Sequence, residues 1–172
     1  PKADWPGGAR IAVQFVINYE EGGENAILHG DNASEAFLSE IIGADAREGV
    51  RHMSMESIYE YGSRAGVWRL MRLFGEYDIP VTFFAIAMAM ERNPAVVEAA
   101  LKAGHEMCSH GWRWVHQFQM DEAAERDFIR QATESIEKTT GERPYGWLSR
   151  YLLTPNTRRL LVEAGYRYHM DD

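Results

Sequence analysis

Cysteine is nearly absent from this 172-residue sequence, in which Cys108 is the only one. No internal disulfide bond can therefore form. Such cysteine usage is typical of a reducing compartment, so the cytoplasm is the expected location. Residues 1–10 contain no apolar signal core, and no apolar run reaches the roughly 18 residues of a membrane span. We therefore expect no membrane segment.

Basic residues are outnumbered, with 18 Lys and Arg against 26 Asp and Glu, which gives a net charge of −8. This balance argues against nucleic acids and anionic membranes as partners, since both require a basic surface. The composition, 45% hydrophobic and 26% charged, is that of a globular protein. We expect one domain over residues 1–172 that acts on a small molecule, and a homo-oligomer remains open.

Short β-branched runs alternate with amphipathic helical patterns along the chain. Strands are predicted at residues 10–18, 81–87, 105–109 and 166–170, with another near Arg150. Helices are predicted from the apolar spacing of Val67, Leu70, Met71 and Phe74, and from the flanking signals Asn93-Pro94 with Gly104, Asp121 with Gly141, and Thr154-Pro155 with Gly165.

This alternation predicts an α/β fold built from parallel strands with right-handed helical crossovers. The loops that follow the strands then gather on one face, where α/β proteins usually place their sites. A closed (β/α) barrel needs about 200 residues or more, so we expect a distorted barrel that is incomplete at its C-terminal end. The long segment 20–61 interrupts the pattern and is interpreted as a functional lid.

Two adjacent carboxylates, Glu20 and Glu21, follow the first predicted strand. A carboxylate at a buried strand end can act as a general base toward water, and repulsion between neighbours shifts pKa values. A solvated acidic turn is the more ordinary interpretation of Glu-Glu-Gly-Gly when it is taken alone.

The third strand is followed by a segment rich in histidine and tryptophan, with His110, Trp114 and His116. Imidazole and carboxylate are ordinary zinc ligands, but the six-residue interval between the two histidines matches no standard ligand spacing. His105 is interpreted as a strand-end histidine bonded to the backbone. Cys108 lies inside a predicted buried strand without a neighbouring base, which argues against a nucleophile.

Arg150 near a later strand end could hold a carboxylate or carbonyl group through its forked donors, although a surface arginine is the simpler interpretation. Trp112 and Trp114 are equally compatible with core packing and with a wall for a planar ligand.

Together these stretches resemble the polysaccharide deacetylase superfamily in order and spacing. The resemblance rests on Asn18-Tyr19-Glu20-Glu21-Gly22, Thr82-Phe83-Phe84, Gly104-His105-Glu106 with His110, and Arg143-Pro144-Tyr145-Gly146. In metal-dependent members, the first acid of the first motif is the base, while the second acid and two histidines hold the metal. Here Trp114 stands in place of the second histidine.

The first motif, the Arg51-His52-Met53-Ser54 string and Ser109-His110-Gly111-Trp112-Arg113-Trp114 are most similar to the metal-independent allantoinase branch. The resemblance implies a hydrolase of non-peptide C–N bonds that opens allantoin to allantoate without a cofactor. Glu20 would be the base, and Glu21, His110, Trp114 and Arg150 would bind substrate.

Two other functions remain open. One is an N-acetyl-sugar deacetylase that keeps a metal through Glu21, His110 and His116. The other is a catalytically inactive family member that serves as a binding module.

Overall fold

The computed structural model describes residues 3–37 and 42–171, so residues 38–41 of the predicted lid lie outside it. Five parallel strands pair in the order β1-β2-β3-β4-β5. They are β1 (Val16–Tyr19), β2 (Thr82–Ala85), β3 (Glu106–Ser109), β4 (Gly146–Trp147) and β5 (Tyr168–His169). In a (β/α) barrel, neighbouring strands follow one another in this same sequential order. This confirms the predicted fold class, and within the described ranges β1 and β5 are the two unpaired edges of the sheet.

Helices connect the strands on the outside of the sheet. They are α1 (Met53–Tyr61), a π-helix (Gly62–Gly66), α2 (Val67–Glu76), α3 (Ala87–Arg92), α4 (Pro94–Lys102), α5 (Glu122–Thr140) and α6 (Thr157–Glu163). Short 3-10 helices occupy Pro6–Gly8, Ile27–His29 and Gln117–Gln119. None of the helices in the described part of the chain has the length and apolar character needed to cross a bilayer.

The long helix α5 follows its sequence signals closely. The Asp121 side chain accepts a hydrogen bond from the Ala124 backbone N–H at 2.8 Å, and Gly141 ends the helix with φ +80°. Its predicted apolar face is buried in the core together with β2, and it comprises Phe128, Ile129, Ala132 and Ile136.

Two sequence predictions need correction. Strand β1 begins at Val16 rather than residue 10, and Ile11 and Val13 are about 70% exposed (71% and 68%), because this edge strand pairs only with β2, whose register with it starts there. Leu70 faces outward, and Trp68 takes its place on the packing face of α2. Within segment 20–61, the predicted lid, α1 occupies the last nine residues.

A buried carboxylate ties α5 to the loop between β4 and α6. Glu125 is fully buried, and its Oε1 accepts hydrogen bonds from Gln117 Nε2 at 2.7 Å and from the Thr157 hydroxyl. Its Oε2 accepts one from the Thr154 hydroxyl. Because each buried partner is satisfied, the network fixes this loop, which also contributes to the site described below.

We predict that Glu125→Ala destabilises the protein by about 2–4 kcal/mol, because three buried donors lose their acceptor. Urea unfolding measures the change, and Glu134→Ala on the same helix is the matched control. The Glu134 side chain is 61% exposed and pairs with Arg130 at the surface, so its loss should be much smaller. Equal losses in the two variants would contradict the structural role of Glu125.

Candidate active site

The carboxyl ends of four strands meet around a cavity of about 840 Å³. Its walls come from the end of β1, from the segment after β3, from the loop 148–153 after β4, and from the residues after β5. This is the edge at which parallel α/β proteins place their sites. Four of the predicted site residues line it, namely Glu20, His110, Trp114 and Arg150.

Two glycines allow close packing of the loop after β1 and of the loop after β3. A Cβ at Gly23 would collide with the Ile86 side chain, and one at Gly111 would lie 2.8 Å from the Phe128 ring. Gly111 also has φ +92°, a conformation that favours glycine. The backbone N–H of Trp114 donates to the Gly23 carbonyl at 2.9 Å, so the loop after β3 is hydrogen-bonded directly to the loop after β1.

Glu20 and His110 form the centre of the cavity. Oε1 of Glu20 lies 3.0 Å from His110 Nε2 and accepts a second hydrogen bond from Asn18 Nδ2, also at 3.0 Å. The other ring nitrogen, Nδ1, lies 2.8 Å from the Leu148 carbonyl oxygen. The second carboxylate oxygen, Oε2, takes no part in these bonds.

The Leu148 carbonyl can only accept, so Nδ1 of His110 must carry a hydrogen. One further proton then lies between Nε2 and Glu20. The pair is either imidazolium with carboxylate or neutral imidazole with carboxylic acid, because an unprotonated Nε2 and a carboxylate oxygen are both acceptors and cannot bond to each other.

The environment of Glu20 favours the carboxylate. Burial raises its pKa, but the hydrogen bond and charge of His110, the Asn18 amide and the charge of Arg150 outweigh burial. The pKa of Glu20 therefore lies below its ordinary value. Glu20 is ionised at neutral pH, as a general base must be.

Arg150 is a buried cation in the cavity wall, not the surface arginine of the simpler interpretation. Its guanidinium carbon lies 3.6 Å from the centroid of the Trp114 ring, and the side chain donates to the Trp114 carbonyl. Glu35 Oε2 lies 3.8 Å from Arg150 Nη1. Trp114 is only 2% exposed, and one face of its indole is covered by Arg150, so it supports the arginine as well as closing the wall.

The structure does not bring Glu21 into this cavity. Its Oε2 accepts the Glu20 backbone N–H at 3.1 Å, and its side chain lines a separate cavity of about 680 Å³ next to α1. Burial raises the pKa of Glu21. Direct contact between Glu21 and a substrate beside Glu20 therefore finds no support in this geometry.

The residues present do not fit the metal site of the alternative hypothesis. Both ring nitrogens of His110 are engaged, His116 is exposed and packs against Phe118 with ring centroids 5.4 Å apart, and Glu21 points elsewhere. Across residues 3–37 and 42–171, no group of three or more His, Cys, Asp and Glu side chains is placed to hold a metal ion.

Other candidates have structural roles. His105 accepts a hydrogen bond from the Val81 N–H at 3.3 Å at the amino end of β3, as predicted. Cys108 is fully buried, and burial raises the pKa of its thiol to about 12, which agrees with its rejection as a nucleophile. The Arg143-Pro144-Tyr145 stretch precedes β4 and therefore lies at the opposite end of that strand from Arg150.

Sequence reasoning did not assign several residues of the cavity wall to the site, among them Asn18, Tyr151 and Asp171. Asn18 holds Glu20, and Tyr151 is exposed at the rim with an unusual φ of +64°. Asp171 accepts the Ser149 N–H at 2.7 Å, and burial raises its pKa. Asn18 lies one residue before the end of β1 and Asp171 two residues beyond the end of β5, so the strand-end rule could have found both.

The fold and the site define a class of protein: a (β/α)-barrel type with a carboxylate–imidazole pair at the carboxyl edge of its strands. The model of the polysaccharide deacetylase family matches residues 50–169. The chain belongs to this family, as the sequence motifs predicted.

Similar proteins carry two kinds of name. A Schizosaccharomyces pombe protein named for the polysaccharide deacetylase family is 39% identical over 163 residues, which is 93% of this chain and 51% of that protein. The crystal structures of PuuE allantoinase and of a probable polysaccharide deacetylase from Pseudomonas aeruginosa PAO1 each share 56% identity with a TM-score of 0.93. Each match covers 99% of this chain and 57% of that chain, so the chain spans little more than half the length of these relatives.

We predict that His110→Gln raises the pKa of Glu20, because the carboxylate loses its charged hydrogen-bond donor. Carboxyl ¹³C NMR titration of the full-length protein measures this pKa. His116→Gln is the control and should leave it unchanged. A Glu20 pKa that stays constant or falls in His110→Gln would show that His110 does not hold the carboxylate.

Proposed function

We propose that this protein hydrolyses a non-peptide C–N bond and that its substrate is allantoin, which it opens to allantoate. The observation that carries the proposal is the Glu20 carboxylate, held through Oε1 by His110 and Asn18 with Oε2 left over at a cavity. The 56% identity with PuuE allantoinase supports the choice of substrate. With that substrate, the reaction belongs to purine breakdown, and a cytoplasmic location and a homo-oligomer belong to the same proposal.

The first step uses Oε2 of Glu20, the oxygen that does not bond to Asn18 or His110. Oε2 takes a proton from a water molecule as the water oxygen forms a bond to a hydantoin carbonyl carbon. Asn18 and His110 hold Oε1, so the carboxylate does not rotate away during transfer. The carbonyl oxygen becomes an oxyanion, and the fixed positive charge of Arg150 favours it electrostatically.

The second step breaks the ring. After this transfer the proton lies on Oε2 of Glu20, and the lowered pKa of Glu20 makes it easy to release. That proton passes to the ring nitrogen as the C–N bond breaks, and the oxyanion re-forms a carbonyl in the new carboxyl group. The nitrogen lies between two carbonyls, so its lone pair is delocalised and it leaves more readily than a simple amine.

The second candidate is an N-acetyl-sugar deacetylase, which the family and the name of the Pseudomonas aeruginosa relative favour. The same base would then act on an acetamide group outside a ring. Turnover of allantoin against that of N-acetylglucosamine oligomers, assayed on the same full-length preparation, separates the two functions. Turnover of either compound rejects the inactive binding module.

We predict that Glu20→Gln lowers allantoin turnover by roughly 10² to 10⁴-fold while substrate binding survives, because glutamine keeps the size and loses basicity. Ring-opening assays give kcat, and calorimetry of the inactive variant gives the Kd. Glu24→Gln, which removes a negative charge from an acid that lines the separate cavity beside α1, is the control. Near-normal turnover by Glu20→Gln would remove Glu20 from the mechanism.

We also predict that exhaustive chelation leaves turnover unchanged, because His110 has no unengaged ring nitrogen and Trp114 offers no ligand atom. Metal content by atomic emission is measured alongside the rate. Loss of activity with chelator and its recovery with zinc would favour the deacetylase over the allantoinase.

A further inference from the structure

Glu21 touches the proposed base through the backbone. The Glu20 N–H donates to Glu21 Oε2 at 3.1 Å, so the position of the Glu21 carboxylate bears on the conformation of the residue that carries the base. The Glu21 side chain lies against Gly62, the residue that ends α1 and begins the π-helix.

Gly62 leaves the space that the Glu21 side chain occupies. A Cβ added at Gly62 would collide with Oε1 of Glu21 and would lie 2.6 Å from its Cδ and 2.7 Å from its Cγ. Real Cβ atoms do not approach other atoms this closely, so a larger residue would have to displace the glutamate. The φ of Gly62 is −56°, an ordinary helical value, so the backbone itself does not demand glycine there.

The π-helix is also connected to β1, the strand that precedes Glu20. Asn93 Nδ2 donates to the Ser63 carbonyl at 3.3 Å and to the Tyr19 hydroxyl at 3.0 Å, and it makes no capping bond to α4. Single π turns inside α-helices are rare and occur frequently at functional sites. Here the π-helix is connected to both residues that flank Glu20 in the sequence. It is linked to Tyr19 through Asn93, and it contacts Glu21 through Gly62.

We propose that Gly62 and Glu21 form a positioning device for Glu20: the glycine seats the Glu21 carboxylate, which fixes the Glu20 backbone through its N–H. Glu21 is then a positioning residue, and its side chain need not touch substrate or metal. The inference rests on the proposed role of Glu20 as the base.

The matched pair Gly62→Ala and Gly66→Ala tests the contact. Both glycines lie in the π-helix with nearly equal φ values of −56° and −58°, so both variants change helix propensity alike. A Cβ at Gly66 meets nothing closer than 3.6 Å. In the full-length protein, Gly62→Ala should lower kcat for allantoin about 10- to 100-fold with little change in KM, and Gly66→Ala should behave as the parent.

A double-mutant cycle separates the contact from a general effect on the helix. Glu21→Ala should lower kcat like Gly62→Ala, and Gly62→Ala should cause no further loss in the Glu21→Ala background. Glu21→Gln keeps an acceptor oxygen for the Glu20 N–H, so it should retain more activity than Glu21→Ala. These two Glu21 variants keep the test open if Gly62→Ala does not fold.

A second measurement does not depend on the substrate. Carboxyl NMR titration should show the pKa of Glu20 shifted in Gly62→Ala and unshifted in Gly66→Ala, whatever compound the enzyme hydrolyses. If allantoin is not turned over but this shift is seen, the proposed substrate fails and the positioning device stands. Equal behaviour of the two glycine variants, in kcat and in titration, or an unchanged kcat in Glu21→Ala, would overturn the inference.

Discussion

One hydrogen-bonded chain, from Glu20 through His110 to the Leu148 carbonyl, joins three strands of the sheet at the candidate site. Glu20 follows β1, His110 follows β3 and Leu148 follows β4. The backbone ladder continues to the same point, since the His110 N–H donates to the Ala85 carbonyl and the Leu148 N–H to the Ser109 carbonyl. The geometry of the base therefore depends on strand register, and a shift of one residue would separate the imidazole from both of its partners.

Local signals predicted the helices better than the edge of the sheet. Asp121 and Gly141 bound α5 through contacts within a few residues, so the sequence alone locates both ends. The start of β1 is different, because residues 10–15 have strand-like composition but the paired register with β2 starts only at Val16, opposite Thr82. The prediction that Leu70 lies on the buried face of α2 is wrong for a similar reason. Helical spacing predicts which residues share a face, and packing partners decide where that face ends.

The sequence predicted the site residues that directly follow strands. It did not predict that the adjacent side chains of Glu20 and Glu21 point in different directions. Glu20, His110, Trp114 and Arg150 line one cavity, as their positions after strands predicted. Glu21 differs because adjacent residues at the end of an extended strand point to opposite sides. Its contact with Gly62 joins positions more than forty residues apart in the chain, and no periodicity or short motif reports such a contact.

The wall around Arg150 shows how the cavity holds a fixed cation. An arginine that is 5% exposed, with an Nε that finds no partner among the described residues, is costly to bury. The Trp114 ring and carbonyl and the nearby Glu35 carboxylate offset part of that cost. A purely structural wall would be served as well by an apolar side chain of similar volume. A guanidinium held there supplies positive charge without reorganisation, and the proposed reaction needs such charge when its oxyanion forms. Trp114, which stands where the family motif has a histidine, thus supports the guanidinium of Arg150, a cation that belongs to the protein itself.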